Sequence, residues 1–189
     1  MNQDALFEPF PKIARLNRTC VISEKLDGTN AQVIITEDGR LLAASRSRLI
    51  TPDNDNYGFA RWVEGHRAEL MQLGPGRHFG EWWGNGIQRG YGLKEKRFSL
   101  FNVARWGDDA VRSPGGYTRP ACCHVVPVLY TGLFHSHDVG DAMMLLGSKG
   151  SVAAPGFMKP EGVIIWHEAA RIGFKVTLEK DSEPKGIAA

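Results

Sequence analysis

The sequence predicts an α+β fold of mainly antiparallel sheets flanked by helices. Three observations predict it: short β-branched runs bounded by turn residues, only two helical patterns, and no steady strand–helix–strand rhythm. Residues 19–24 (TCVISE) and 30–36 (NAQVIIT) are such runs. Glu37-Asp38-Gly39-Arg40 follows, and its Asp-Gly pair is a strong hairpin signal leading into a strand over 41–45. Phe59, Trp62, Val63, His66, Leu70 and Leu73 recur at three- and four-residue steps, the spacing of one helix face, and stop before Gly74-Pro75-Gly76. Residues 78–83, 97–105 and 125–130 read as further strands. A second, shorter helix is expected over 138–146, with Val139, Ala142, Met143 and Leu146 on one face. Strands over 162–167 and 171–178 flank a turn at 168–170, and the tail beyond Leu178 is polar.

A chain of 189 residues fits one domain with a sizeable core. Its 42% hydrophobic and 23% charged residues exclude collagen-like, disordered and disulfide-scaffold classes. The formal net charge of +2 neither demands nor excludes nucleic acid, because binding depends on where charge is placed. Cys20, Cys122 and Cys123 are odd in number and two are adjacent, a poor disulfide framework. The amino terminus lacks an apolar signal core, and no apolar run approaches the length of about 18 that spans a membrane. The expectation is a soluble, cytoplasmic protein without a membrane partner.

The sharpest local feature is Lys25-Leu26-Asp27-Gly28, directly after a strand. A K-x-D-G string arises by chance in about one chain in twenty of this length, so alone it reads equally well as a strand-end turn. An ordered series follows it: Arg46-Ser47-Arg48, then Phe79-Gly80-Glu81-Trp82-Trp83-Gly84, Phe98-Ser99-Leu100-Phe101-Asn102-Val103, Glu161-Gly162-Val163-Ile164-Ile165, and Phe174-Lys175-Val176. Two lysines and two carboxylates among apolar strand residues are costly to bury without a purpose.

In this order the series resembles the covalent nucleotidyltransferases, which are the polynucleotide ligases and mRNA-capping guanylyltransferases, and most of all the RNA ligase 2 branch. SEKLDGTN is similar to nucleotidyl motif I, SRSR to Ia, FGEWWG to III, FSLFNV to IIIa, EGVII to IV and FKV to V. The resemblance implies a nucleotidyltransferase fold and an ATP-dependent RNA ligase that joins 5′-phosphate and 3′-hydroxyl ends. It makes Lys25 the nucleophile that carries AMP. A free lysine has a pKa of about 10.4, so it needs a nearby cation or desolvation to act; Lys175 and a divalent metal are the implied sources. The resemblance further assigns Arg46 and Lys175 to phosphate, Glu81 to the ribose, Phe101 to a stack on adenine, and Glu161 to Mg²⁺ or Mn²⁺. Asp27 and Asn30 are implied to shape the pocket, and Glu24 to lie beside the base through its backbone.

Two positions depart from the family pattern. Thr177 takes the place of a second motif V lysine, which Lys180 or Lys185 would have to replace, and Asn102 stands where many ligases carry Asp. The few residues after Lys180 leave the expectation of one adenylyltransferase domain over 1–189, without an OB-fold or other carboxy-terminal domain. Grip on nucleic acid then falls to Arg89, Lys94, Lys96 and Arg97, interleaved with Tyr91 and Phe98, or to a helper protein or clamp. A solvated charged loop is the competing reading of those four residues. Other activities stay open: a minimal DNA ligase, a GTP-using capping enzyme, or a non-catalytic nucleotide- or RNA-binding module. Cys122, Cys123, His124, His135 and His137 match no common closed zinc spacing.

Overall fold

A computed structural model describes residues 8–108 and 114–179 as two β-sheets that face each other across a cleft. One sheet has four antiparallel strands in the order β10 (Ile172–Thr177), β9 (Gly162–His167), β1 (Thr19–Lys25) and β8 (Val128–Leu133). The other has six, in the order β4 (Leu49–Ile50), β3 (Leu41–Ser45), β2 (Thr29–Ile35), β5 (Gly76–Gly84), β6 (Lys96–Leu100) and β7 (Cys123–Val125). Among the described strands only β6 and β7 pair in parallel, as the sequence predicts for a mainly antiparallel α+β protein.

Side chains alternate along a strand, so each sheet has two faces to satisfy. On the six-stranded sheet, Ala31, Val33 and Ile35 of β2 turn to a core with Phe59, Ala60 and Val63 of α1 (Phe59–Gly65) and Leu70 of α2 (Arg67–Leu70). On the four-stranded sheet, Cys20, Ile22, Val163 and Ile165 pack on Ala142 and Leu146 of α4 (Ser136–Lys149). The intervening residues of the same strands, among them Val21, Ser23, Lys25, Phe79 and Glu81, line the cleft.

Three elements differ from the sequence expectation. The continuous helix over 59–73 is broken: α1 ends at Gly65, His66 leaves helical geometry at φ −108° and ψ 20°, α2 follows, and Met71–Leu73 is a 3₁₀ turn. Gly65 disfavours helix, while the apolar stripe keeps Phe59, Val63, Leu70 and Leu73 buried in one core despite the break. The expected strand over 97–105 stops at Leu100. Asn102 Oδ1 there accepts the backbone N–H of Arg105 at 3.0 Å and caps the short helix α3 (Val103–Trp106), a role that Asn fills well. The expected strand over 125–130 is two strands in different sheets, because Pro127 lies between β7 and β8 and cannot donate to a ladder.

Cys20, Cys122 and Cys123 are free thiols. Among the described residues no helix is long and apolar enough to cross a membrane. Phe59 is fully buried, with its ring centroid 5.1 Å from Phe98 and 5.3 Å from Trp82. Phe59→Ala is expected to cost about 3–5 kcal/mol, read as a lower urea midpoint at unchanged m-value.

Candidate active site

β1 ends at Lys25, and the chain crosses to the other sheet through Leu26, Asp27 and Gly28 before β2 begins. The crossing is tight. A Cβ on Gly28 would lie 2.4 Å from the Trp82 carbonyl oxygen and 2.7 Å from Trp83 Cβ, so no larger residue fits. The same approach lets the Gly28 N–H donate to Glu81 Oε1 at 3.1 Å.

Strand register sets the order of side chains along the cleft. Lys25 lies opposite Gly162, Ser23 opposite Ile164, and Val21 opposite Trp166, while Lys175 of β10 pairs with Ile164. From the facing sheet, β5 presents Glu81, Phe79 and Arg77 in turn, with Asn30 paired to Glu81. Phe101 is held beside Phe79 by its N–H to the Phe79 carbonyl at 3.0 Å. Glu24, Lys25, Asn30, Arg46, Glu81, Phe101 and Lys175 thus line one cavity of about 770 Å³.

Lys25 Nζ donates to Glu161 Oε2 at 2.5 Å, with both side chains about one-fifth exposed, at 21% and 19%. Glu161 stands one residue outside the β1–β9 ladder, and its carbonyl accepts the N–H of Leu178 at 2.9 Å. Glu81 is buried and accepts Asn30 Nδ2 at Oε2, 3.0 Å away. Burial pushes the Glu81 carboxyl up to about 7 against the pull of the Lys25 ammonium and these hydrogen bonds.

The side chains of Glu24 and Asp27 serve the scaffold. Glu24 carboxylate accepts Ser151 Oγ at 2.6 Å and the N–H groups of Val152 and Ala153 at 2.8 and 2.9 Å, fastening that loop to β1. Burial raises its pKa above the ordinary value although all three bonds favour the anion. Asp27 is not part of the cavity lining. Its N–H donates to Tyr91 Oη at 2.9 Å, and its Oδ2 accepts Arg89 Nε at 2.9 Å.

A model of the RNA ligase family matches residues 18–180. The chain belongs to the RNA ligase family. Solved structures agree on the fold, and those below are of the Naegleria gruberi RNA ligase. A point mutant with ATP and manganese is 19% identical at a TM-score of 0.57, over 89% of this chain and 52% of that one. A second mutant with AMP and manganese is 18% identical at 0.54, over 86% and 50%. An apo mutant is 20% identical at 0.56, over 85% and 50%. This RNA ligase family chain therefore spans about half the length of those structures. A search of curated proteins finds no match.

Sequence reasoning gave Arg89 and Tyr91 a different role, on a nucleic-acid surface, and missed the other participants. Arg89 and Tyr91 hold the crossing, Ser151 holds Glu24, and Arg77, Arg105 and Trp166 line the far part of the cavity. None has a local signature, since each partner lies dozens of residues away. Trp82 and Trp83 both stay out of the cavity lining, donating instead to the Tyr57 carbonyl and to Ser99 Oγ.

Of the four residues of the expected basic surface, Lys94 and Lys96 are exposed, and Arg89, Lys96 and Arg97 also bond within the fold. Arg89 is engaged as above, Lys96 Nζ donates to the Tyr57 carbonyl at 2.7 Å, and Arg97 binds Glu95 and the Ala153 carbonyl. These cations satisfy carbonyls and carboxylates of the fold. Thr177 Oγ1 donates to the Glu179 carbonyl at 2.8 Å, and the proposed substitutes Lys180 and Lys185 lie outside the described residues. Among the described residues no cluster of three or more His, Cys, Asp or Glu is arranged to hold a metal, and His135 and His137 stack on each other.

Gly28→Ala is expected to abolish the site's geometry, checked as loss of nucleotide binding in a protein whose thermal midpoint falls by several degrees. Glu81 gives a pH signature. Its folded pKa lies above its ordinary value of 4.5, so the native state holds an extra proton between those values. Stability therefore falls as pH rises through that window, by about 3 kcal/mol at most. Thermal midpoints measured from about pH 5 to 8 are expected to decline less steeply in Glu81→Gln than in the wild type, since the raised pKa of Glu24 is retained.

Proposed function

We propose that this chain performs the adenylylation chemistry of an ATP-dependent RNA ligase, carrying AMP on Lys25 and joining RNA 5′-phosphate and 3′-hydroxyl ends. The observation that carries this reading is the Lys25 amine at one end of a nucleotide-sized cleft. It is hydrogen-bonded to Glu161 there, with Glu81 facing it, and Phe101, Arg46 and Lys175 also on the cavity walls. Similar RNA ligase structures that hold ATP or AMP with manganese support the choice of nucleotide and of a divalent ion.

The Lys25 ammonium first sheds a proton to water, which reaches the pair through its exposed fraction. Nζ then forms a bond to the α-phosphorus of ATP while the bond from that phosphorus to the bridging oxygen breaks. Pyrophosphate leaves with the electron pair, and a second proton departs from nitrogen to give the phosphoramidate. An RNA 5′-phosphate oxygen next bonds to the AMP phosphorus while the bond to Nζ breaks and Lys25 takes protons back from water. The 3′-oxygen, giving up its proton, then bonds to the 5′-phosphorus as AMP leaves. Arg46 and Lys175 offset phosphate charge, Glu81 and Asn30 hold the ribose, and Phe101 stacks on the base.

Glu161 supplies a hard carboxylate of the kind that binds Mg²⁺ or Mn²⁺ together with water and substrate phosphates, so a pre-built cage is not required. When bound, the ion neutralises charge that develops on the phosphates. Cytoplasmic RNA repair without membrane association is the proposed setting. A helper protein or clamp that grips the ends belongs to the same reading, which the internal engagement of Arg89, Lys96 and Arg97 supports.

Incubation with ATP and Mg²⁺ or Mn²⁺ is expected to add one AMP to the wild-type mass and none to Lys25→Ala. An AMP adduct on Lys25→Ala overturns the assignment, labelling by GTP alone favours a capping enzyme, and saturable ATP binding without pyrophosphate release favours a binding module. Competing nicked RNA and DNA duplexes test the substrate. Preferential sealing of DNA points to a minimal DNA ligase.

A further inference from the structure

Arg89 engages four chain positions with one guanidinium. Its Nε donates to Asp27 Oδ2 at 2.9 Å, its Nη1 to the carbonyls of Lys159 and Pro160 at 3.0 and 3.5 Å, and its Nη2 faces Glu179 Oε2 at 3.5 Å. Asp27 stands two residues after Lys25, and Pro160 immediately precedes Glu161. One side chain therefore clasps the segments that carry both partners of the Lys25–Glu161 pair.

The local backbone is shaped for this. Gln88, Gly90 and Tyr91 all have positive φ, at 45°, 65° and 53°. Non-glycine residues persist there only where their surroundings fix them. The turn places Arg89 on the Asp27 side chain and Tyr91 Oη on the Asp27 N–H, so one turn fixes both. The Arg89 side chain is 26% exposed and Asp27 25%, which shields the pair from part of the screening that weakens surface ion pairs.

The Lys25–Glu161 bond has to open when the Lys25 nitrogen takes up phosphorus. Glu161 lies outside the β1–β9 ladder and is tied by its carbonyl to the Leu178 N–H, while the paired strands stop short of the 159–160 segment that leads into it. We propose that Arg89 is a positioning residue for lysine adenylylation, holding the Asp27 turn against the 159–160 segment so that Lys25 and Glu161 stay registered once their own bond is gone. The proposal rests on the adenylylation reading above. A planar fork is needed to span a carboxylate and two carbonyls, and a lysine ammonium does not reproduce it.

In the full chain, Arg89→Ala is expected to slow lysyl-AMP formation at saturating ATP by about a hundredfold with little change in the KM for ATP. Arg89→Lys is expected to recover less than about tenfold of that loss. Added methylguanidine is expected to restore Arg89→Ala by about tenfold or more and to leave the wild type unchanged. A merely unfolded protein gains nothing from it, since guanidinium compounds weaken folding. Asp27→Asn combined with Arg89→Ala is expected to lose no more than the worse single variant.

A wild-type rate in Arg89→Ala, or a loss that methylguanidine does not repair, overturns the proposal. If Arg89→Ala does not fold, Arg89→Lys decides. A wild-type rate, or a loss simply additive with Asp27→Asn, then overturns it. Failure of the wild type to take up AMP overturns the adenylylation reading instead.

Discussion

The candidate site depends on a short crossing between the two sheets. The chain leaves β1 at Lys25 and enters β2 at Thr29, so Leu26, Asp27 and Gly28 span the distance between sheets. A second crossing runs beside it, where Val126 and Pro127 lead from β7 to β8 and the Glu24 N–H donates to the Pro127 carbonyl at 2.9 Å. Close approach at Gly28 brings Glu81 of one sheet within reach of the strand end of the other. Lys25 and Glu81 therefore face each other because the connection between their sheets is so short.

That closeness has an electrostatic cost which the fold offsets unevenly. Glu24 and Glu81 are both buried, and buried carboxylates need partners. Glu24 accepts three hydrogen bonds from residues 151–153 and is thereby a fastener of the loop beside the cleft. Glu81 accepts two bonds, faces Lys25, and keeps a pKa near neutrality. Two similar carboxylates, one on each side of Lys25, thus have separate duties: one holds the wall and the other faces the opening.

Cations are distributed by the same logic. A guanidinium or ammonium near the end of a strand can track an external phosphate or satisfy carbonyls that the ladder leaves over. Arg89, Lys96 and Arg97 take the second course. Arg46 and Lys175 instead remain on the cavity wall. The motif series separates Arg46 and Lys175 from the other three, which residue type alone does not.

Much of the fold was legible because it rests on short-range rules. Apolar, often β-branched runs bounded by turn residues located β1, β2, β3, β5 and β9 to within a residue or two, and the Asp38-Gly39 turn was plain from its residue types. The motif series, spread from Lys25 to Lys175, named Lys25, Arg46, Glu81, Phe101 and Lys175 among the residues that the cavity gathers. Tertiary structure decided the rest. Pro127 splits one apolar run between two sheets, Asn102 turns a strand into a capped helix, and Asp27 faces Arg89 rather than the cavity. Two of these outcomes depend on a partner or a sheet assignment remote in sequence, such as the separation of 62 positions from Asp27 to Arg89. Periodicity records which face of an element is apolar; it carries no information about which distant group that face will meet.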